Sequence, residues 1–538
     1  MMLKRTISLF GLVTLFSMVP VHAADQVDLA TLHKIKEEAF ENSHVMDTMF
    51  YLTDVNGPRV TNSPGYFSAA DWAAKQLIDW GIKAHQEKWP FGRGWQFTRF
   101  SAHLVEPQYA PLIGFPLAWT GSTNGTVTGE PMLIEQLASA ADLEKYKGQL
   151  KGKIVLIGEP HELPFNTLPL GSRFTDAELA DLSLAPEPGS AMRGPTVFIL
   201  GLREAATGPP GGRAFQPQLH RFLAEEQPLL IVQAGLGRSQ DGTVFGGIGG
   251  SFRAGDPIAP PTVVLTPEHY NRICRLLQHK IPVKLEFNVQ TEFNGRTDSV
   301  NVIGDIEGNR KKEEVVMCGA HLDSWHGGTG ATDNAAGTAV MMEAMRILKT
   351  LNLKMDRSVR VGLWGAEEVG SIGSKAYVKE HFGDPATMRL TSEHAKLSGY
   401  FNIDEGGGKI RGVYLQGNDM MRPIFQTWFA ALKDLTGGTL SIRNTGGTDH
   451  LSFDSVGLPG FQFIQDPMDY YSWTHHSNMD VYDHIQKGDL MQMAAIVASL
   501  VYNTATREEL LPRKPLPPPQ PQPGERSGPG GPRQPGPN

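Results

Sequence analysis

Residues 313–351, EEVVMCGAHLDSWHGGTGATDNAAGTAVMMEAMRILKTL, decide how this chain folds. The apolar run VVMC near the start predicts a buried β-strand, and the apolar pattern of residues 334–351 predicts an α-helix. A strand followed by a helix is the repeating unit of an α/β sheet. The glycine-rich loop between them carries His321, Asp323 and Asp333, so it is also the first candidate for a functional site.

The same alternation of strands and helices continues on both sides of this stretch. The segments SVNVIGDIEG, SVRVGLWGAEE and SGYFNIDEGG are predicted to be strands, and RPIFQTWFAALKDL is predicted to be a helix. Earlier in the chain, SPGYFSAADWAAKQLIDWGIK predicts a helix with Ser63 as its N-cap, Pro64 in its first turn and Gly81 at its end. The pattern therefore predicts an α/β fold.

The texture of the sequence changes between residues 121 and 292. Short strands such as GKIVLIGE and PLLIVQAG alternate there with glycine- and proline-rich loops. We predict that residues 121–292 form an inserted, mostly β domain, which divides the main domain into residues 24–120 and 293–511. Residues 512–538 are rich in proline and glycine, so we predict a disordered tail.

The N-terminus predicts a signal peptide over residues 1–23. Lys4 and Arg5 precede an apolar run from Ile7 to Val19, and the following VHA has small residues where a signal peptidase requires them. The run is shorter than the roughly 20 residues that span a bilayer. We therefore expect export to the periplasm or the medium, without a stable membrane span.

Composition limits the function further. The formal net charge is −8 and no long basic block occurs, which argues against a nucleic-acid partner. Only two cysteines are present, Cys274 and Cys318. Any metal site must then use histidine and carboxylate ligands, a set that suits hydrolytic zinc.

Acidic residues and histidines recur where the predicted strands end. They are His321 and Asp323 after the first strand, Glu367 and Glu368 after the second, Asp404 after the third, and His475 and His476 in a late loop. In open α/β sheets the carboxyl ends of the strands form the binding edge. We therefore expect these side chains to lie close together.

A pair of zinc ions would account for this set of residues. Two zinc ions carry four positive charges, of which Asp333, Glu368 and Asp404 balance three and a hydroxide shared by the metals balances the fourth. His321 and His476 complete the coordination without adding charge. The two carboxylate oxygens of Asp333 allow it to bridge both ions.

Two further acidic residues are predicted to assist. Asp323 follows His321 by two residues, which keeps both on one side of a strand, so its carboxylate is expected to accept the second ring N–H of that histidine. Glu367 and Glu368 are neighbours on a predicted strand and should point to opposite faces. We assign Glu368 to the metal and Glu367 to proton transfer, as general base and then acid.

Five motifs in a fixed order, HLDSW, TDNAAG, LWGAEEVGS, NIDEGGG and HHSNMD, resemble those of the co-catalytic di-zinc exopeptidases. That family includes carboxypeptidase Q and secreted bacterial aminopeptidases, and the likeness covers most of residues 45–512. The resemblance implies a zinc-exopeptidase-like mixed sheet flanked by helices, interrupted by a protease-associated domain. It also implies two zinc ions per chain and a homodimer.

The resemblance assigns the metal ligands residue by residue. It implies that His321 and Asp404 hold one zinc ion, that Glu368 and His476 hold the other, and that Asp333 bridges them. Glu367 is implied to be the general base.

The resemblance also distinguishes the two adjacent histidines. The family's ligand stands four residues before an aspartate, here Asp480, which selects His476 and leaves His475 to stabilise the oxyanion. Residues predicted to contact the substrate are Trp325, Asp449, His450 and Tyr471.

The implied activity is hydrolysis of dipeptides or short peptides by a zinc-dependent exopeptidase, a metallopeptidase. An aminopeptidase that acts on longer peptides is the alternative within that class. Acyl transfer of the glutaminyl cyclase type uses one zinc and a reduced ligand set, so the intact His321 argues against it. A metal-free receptor-type binding module is the alternative from another class, but such modules typically lose ligands that this chain retains.

Overall fold

The structure is a computed structural model that describes residues 27–163, 165–167, 169–185, 215–235 and 239–520. The predicted signal peptide and the end of the predicted tail, residues 521–538, lie outside the described residues. Within the described ranges, no helix combines the length and the apolar character that crossing a membrane requires.

The described α-helices are α1 (Leu29–Glu41), α2 (Val45–Phe50), α3 (Pro64–Asp79), α4 (Ala140–Tyr146), α5 (Asp176–Ser183), α6 (Gln216–Glu226), α7 (Pro267–Gln278), α8 (Ala336–Thr350), α9 (Ile372–His381), α10 (Arg422–Ala430), α11 (His450–Asp454) and α12 (Lys487–Thr506). The predicted start of α3 is confirmed, because the Ser63 hydroxyl accepts a hydrogen bond of 3.1 Å from the amide of Tyr66. Gly81, just after the helix, has a φ of +78°, a left-handed conformation that glycine adopts without strain.

The described strands are β1 (Lys83–Pro90), β2 (Gly94–Glu106), β3 (Ala110–Pro111), β4 (Gly114–Pro116), β5 (Thr126–Gly129), β6 (Pro131–Ile134), β7 (Ile154–Ile157), β8 (Leu230–Ala234), β9 (Thr262–Leu265), β10 (Lys284–Asn294), β11 (Asp298–Ile306), β12 (Lys311–His321), β13 (Arg357–Trp364), β14 (Gly383–Asp384), β15 (Arg389–Leu390), β16 (Leu397–Asn402), β17 (Ile410–Tyr414), β18 (Thr439–Ser441) and β19 (Gly460–Gln465). All the strands predicted around the candidate site are present.

The main sheet has eight strands in the order β1-β11-β13-β12-β16-β19-β17-β18. Its central strands β13, β12, β16 and β19 are parallel, while β11 and β17 join them in antiparallel fashion. His321 is in register with Trp364, so β12 and β13 end side by side. The predicted α/β fold with a mixed sheet is confirmed.

Helices cover both faces of this sheet, as an α/β core requires. On one face, apolar residues of α1, α3, α8 and α12 pack with the strands in a single buried cluster. On the other face, α9 and α11 contribute Tyr377 and Phe453 to a second cluster around Trp364. Both faces of the sheet are thereby covered by helices.

The architecture of the described residues in the insert differs from the mostly β domain that the sequence predicted. A five-stranded sheet, β4-β9-β8-β7-β6, has parallel pairing from β6 to β9. Parallel neighbours need long crossover connections, and helix α4 lies between β6 and β7 while α5 and α6 lie between β7 and β8. The described part of the insert is therefore α/β rather than mostly β.

The boundaries of the insert remain a prediction. Strand β4 precedes the predicted boundary at residue 121, yet it pairs with β9 of the five-stranded sheet. A second sheet, β3-β2-β10-β5, combines strands from both sides of that boundary. A local change of texture cannot locate a boundary across which strands pair at long range.

The first residues of the predicted tail lie against the protein. The carbonyl of Pro512 accepts a hydrogen bond of 2.8 Å from Asn418, and Lys514 forms an ion pair with Asp454. Arg513 donates to the carbonyl of Leu397 at 2.6 Å. Residues 512–514 are therefore bound to the rest of the fold, while a disordered tail beyond them stays a prediction.

Candidate active site

The candidate site lies where the central strands end. His321 is the last residue of β12, and Asp404 follows the end of β16. Asp333 lies in the turn that precedes α8, with non-helical dihedral angles of −130° and 87°. His475 and His476 lie in the loop between β19 and α12. The fold thus brings together residues that are far apart in sequence.

The carboxylate of Asp333 joins two groups of side chains. Its Oδ1 atom lies 3.2 Å from Nε2 of His321, and its Oδ2 atom lies 3.2 Å from Nε2 of His476. The same nitrogen of His321 is 3.2 Å from Oδ1 of Asp404, and that of His476 is 3.0 Å from Oε2 of Glu368. The other four predicted ligands therefore lie around the carboxylate of Asp333.

His475 lies beside this cluster and farther from its centre. Its Nε2 atom is 3.8 Å from Oδ2 of Asp333, and its ring centroid is 3.8 Å from that of His476. The ring of Tyr470 contacts it at a centroid distance of 4.7 Å. Of the two histidines, His476 is the one that approaches both Asp333 and Glu368.

The two glutamates do not occupy the strand positions from which their roles were predicted. Strand β13 ends at Trp364, and Ala366 turns the chain with a φ of +55°. Glu367 and Glu368 follow in a turn, so the argument that strand neighbours face opposite sides is wrong for them. Their separation comes from the turn, which sends Glu368 to His476 while the Oε1 atom of Glu367 accepts from Ser371 at 3.3 Å.

The electrostatics of the central carboxylate are unusual. Burial by itself raises the pKa of Asp333, but hydrogen bonds from His321 and His476 outweigh it and hold that pKa well below the usual value. Burial by itself lowers the pKa of His321, but Asp404, with Asp323 and Asp333, raises it well above the usual range. The centre therefore favours a charged carboxylate bordered by positive charge.

The pKa values of the two glutamates around this centre are raised rather than lowered. Burial, followed by the repulsion of Asp404, raises the pKa of Glu367 well above its usual value. Burial, followed by the repulsion of Asp333, raises the pKa of Glu368 to about 7. Too many carboxylates share the site for all of them to be ionised without further cations.

The residues present fit a metal centre. Within the described ranges, no lysine or arginine forms an ion pair with these carboxylates, and the buried Oε1 atom of Glu368 has no hydrogen-bond partner. Ligands bound to zinc at about 2.0 Å in a tetrahedron lie about 3.3 Å from one another, close to the separations around Asp333. Two groups that could hold a metal share that residue, one with His321 and Asp404 and the other with the two late histidines.

Asp323 contacts His321 in a different way from the one predicted. The Nδ1 atom of His321 lies 3.0 Å from the backbone carbonyl of Asp323 and 3.6 Å from its carboxylate. The carboxylate instead accepts hydrogen bonds from the hydroxyl of Thr61 at 2.8 Å and from the amide of Glu367 at 3.2 Å. Asp323 therefore links the histidine to the turn that carries Glu367.

Sequence reasoning missed Arg59, which is fully buried. Its guanidinium donates to the carbonyls of Leu322, Thr329 and Gly330 at 2.7–2.8 Å. These carbonyls belong to the loop between His321 and Asp333, so Arg59 fixes the backbone conformation of that loop. Its sequence context, NGPRVTN, holds no local partner that would have revealed this role.

Asp480 and Asn334 complete the support of Asp333. The Asp480 carboxylate accepts from the amide of Thr332 at 2.6 Å and from the amide of Asp333 at 3.2 Å. The side-chain amide of Asn334 donates to the carbonyl of Ile403 at 2.7 Å, and this bond connects the turn to the segment that carries Asp404. Asp480 was recognised only as a motif marker, whereas its contacts show how it holds the turn.

The predicted substrate contacts fall into two pairs. Trp325 and Tyr471 lie next to the site, each with its ring centroid 6.1 Å from a histidine ring, that of His476 and His475 respectively. Asp449 and His450 are fully buried, and His450 contacts Gln416 and the carbonyl of Thr445. Asp449 is the N-cap of α11 and His450 is its first residue, and their contact with the substrate stays a prediction.

Comparisons with known proteins indicate a peptidase family. Residues 301–501 match the model of Peptidase family M28. Human carboxypeptidase Q is 24% identical over 492 residues, which cover 90% of this chain and 89% of that protein.

Solved structures share the fold. The crystal structure of a peptidase M28 precursor from Shewanella amazonensis has a TM-score of 0.64 at 24% identity, covering 91% of this chain and 99% of that one. A zinc aminopeptidase from Bacillus subtilis has a TM-score of 0.53 at 18% identity, covering 86% of this chain and 95% of that one.

The family match and the carboxypeptidase Q relatives support a metallopeptidase that acts on peptides. The likeness predicted from the five motifs is confirmed. The match over residues 301–501 and the carboxypeptidase Q relatives support the M28 zinc exopeptidase family for this chain.

Proposed function

We propose that the protein is a zinc-dependent exopeptidase that binds two zinc ions and hydrolyses dipeptides or short peptides. The single observation that carries the proposal is the Asp333 carboxylate, whose two oxygens each lie 3.2 Å from a different histidine. One carboxylate between two imidazoles suits a pair of metal ions held side by side. The carboxypeptidase Q relatives and the zinc aminopeptidase with the same fold support this choice of metal and reaction.

The ligand assignment follows the contacts. His321 and Asp404 would hold one zinc ion, Glu368 and His476 the other, and Asp333 would contact both. When bound, zinc polarises the scissile carbonyl and makes water more acidic. The fixed geometry of the ligands depends on Arg59 and Asp480, which bind the backbone that leads to Asp333.

Two residues outside the ligand set take part in the reaction, one by transferring a proton and the other by stabilising the oxyanion. Glu367 takes a proton from the attacking water and passes it to the leaving amine. Its amide is held by Asp323, so its position is tied to that of the histidine ligand. His475, which faces the cluster from the side, donates a hydrogen bond to the oxyanion that forms on the substrate.

Metal removal tests the proposal directly. Treatment with a strong chelator should abolish hydrolysis of a dipeptide panel, and added zinc should restore it, because water at the site is then acidified again. Dipeptides with an acetylated N-terminus and dipeptides with an amidated C-terminus reveal which free terminus is needed. Full activity of the metal-stripped protein would overturn the proposal, and equal hydrolysis of peptides blocked at both ends would exclude an exopeptidase.

Replacing each late histidine in turn tests the ligand assignment. His476→Ala should lower the zinc content from about two ions per chain to about one, because it removes a nitrogen ligand. His475→Ala should keep both ions and lower kcat. Metal analysis of the two purified variants decides the matter, and the reverse pattern would move the ligand to His475.

A further inference from the structure

The loop that carries His476 is paired with a segment of the predicted insert. We call residues 242–250 the strap and residues 475–478 the histidine loop. Phe245 of the strap forms an antiparallel bridge with Ser477 of the histidine loop. The amide of Gly246 donates to the carbonyl of His476 at 3.3 Å. A proposed metal ligand is thus bonded to the insert through its own backbone.

Asn478 makes most of the contacts across this pairing. Its Oδ1 atom accepts from the amide of Val244 at 2.7 Å, and its Nδ2 atom donates to the carbonyl of Gly242 at 3.2 Å. Its backbone amide donates to the carbonyl of Val244 at 3.2 Å. One residue therefore binds the strap through three hydrogen bonds.

The strap is anchored in the insert rather than being a free loop. Val244 is fully buried and packs with Phe115, Leu117 and Val264, which belong to or adjoin the five-stranded sheet. At Gly247 the strap passes close to the ring of Trp325, where an added Cβ atom would come within 3.1 Å of the indole. The packing leaves the strap little freedom to move away from the site.

His476 needs such support because of its backbone conformation. Its φ is +59°, in the left-handed region that residues with a Cβ atom adopt rarely and at an energetic cost. A strained residue persists only where its surroundings hold it. The hydrogen bonds of the strap to His476 and Asn478 are the contacts that hold the histidine loop from the side of the insert.

We propose that Asn478 is a positioning residue for metal binding, which fastens the histidine loop to the strap and so fixes the imidazole of His476. The inference rests on the proposed role of His476 as a zinc ligand. It gives the insert a part in forming the metal site. Loss of the Asn478 side chain leaves every ligand present but allows the histidine loop to relax toward an unstrained backbone.

Asn478→Ala tests the inference through zinc affinity. In competition with a chromogenic chelator, the variant should bind its weaker zinc ion about 10- to 100-fold less tightly than the wild type, the range typical of lost supporting contacts around a metal. The other zinc ion should bind as in the wild type. Amide hydrogen exchange at residues 244–246 should become faster at the same time.

Asn271→Ala is the matched control. The Asn271 side chain also accepts from a backbone amide and donates to a backbone carbonyl, both of His161, at 2.8 and 2.7 Å, but it lies on α7. This variant should keep the zinc affinity of the wild type. Asn478→Asp retains the acceptor for Val244 and should lose less affinity than Asn478→Ala, and it replaces that variant if alanine prevents folding.

The outcomes separate the inference from the proposed function. A wild-type protein that binds no zinc would refute the proposed function itself. If the wild type binds two zinc ions and Asn478→Ala binds both of them as tightly as the wild type does, the inference is wrong and the proposed function stands. Equal losses in Asn478→Ala and Asn271→Ala would also overturn the inference, because they would indicate general destabilisation.

Discussion

Glu367→Gln should reduce kcat by about 10²- to 10⁴-fold, the usual contribution of a positioned general base, while the zinc content stays that of the wild type. Glutamine retains the shape of the side chain but cannot take a proton from water. The Glu367 carboxylate accepts a hydrogen bond from Ser371, whereas that of Glu368 approaches His476, so the loss of Glu367 should leave the metals in place. Steady-state kinetics together with metal analysis on the same preparation provide the measurement.

Glu368→Gln is the informative comparison for this prediction. The two glutamates are adjacent and lie in the same turn, but only Glu368 approaches His476, at 3.0 Å. Its replacement should therefore lower the zinc content as well as kcat. Near-wild-type turnover of Glu367→Gln, or a loss of zinc from it, would contradict the assignment of Glu367 as the base.

Asp333→Asn should have the largest effect on metal binding. The substitution removes the negative charge and one of the two carboxylate oxygens that face the histidines, so both ions lose a ligand or its charge. The loss of affinity should exceed the roughly 10- to 100-fold that follows removal of an outer supporting group. Isothermal titration of the metal-free protein with zinc measures this loss, and activity should fall in parallel.

Asp305→Asn is a suitable control for that experiment. Asp305 is partly buried and, like Asp333, lies close to a basic side chain, with an ion pair of 2.8 Å to Arg360. It lies near the end of β11, which is antiparallel to β13 and so runs away from the site. Asp305→Asn should bind zinc like the wild type. Tight binding of two zinc ions by Asp333→Asn would refute the idea of a shared carboxylate.

Local pattern predicted most of the main sheet and its helices. Apolar runs fixed the strands that end at His321 and Trp364, and the Ser63–Pro64 pair fixed the start of α3, because caps and periodicity depend on near neighbours. The insert was predicted less well. Strand β4 joins its sheet only by pairing with a strand almost 150 residues later.

The candidate ligands could be named from the sequence because each follows a strand or stands in a dense motif. The contacts that hold these ligands in place could not be predicted from the sequence. The buried Arg59 bonds to carbonyls more than 260 positions away, and Asp323 contacts Thr61 across a similar separation. Glu367 and Glu368 were assigned different tasks by an alternation that the turn at Ala366 does not follow.

The sequence by itself determined the fold class, the kinds of candidate metal ligand and the order in which the chain presents them, since these depend on residue type and short-range spacing. The tertiary structure decided that Asp333 stands between His321 and His476, and that a strap from the insert supports the loop of His476. Such arrangements depend on packing between segments hundreds of residues apart. No local pattern carries that information, because many packings are compatible with the same strands and helices.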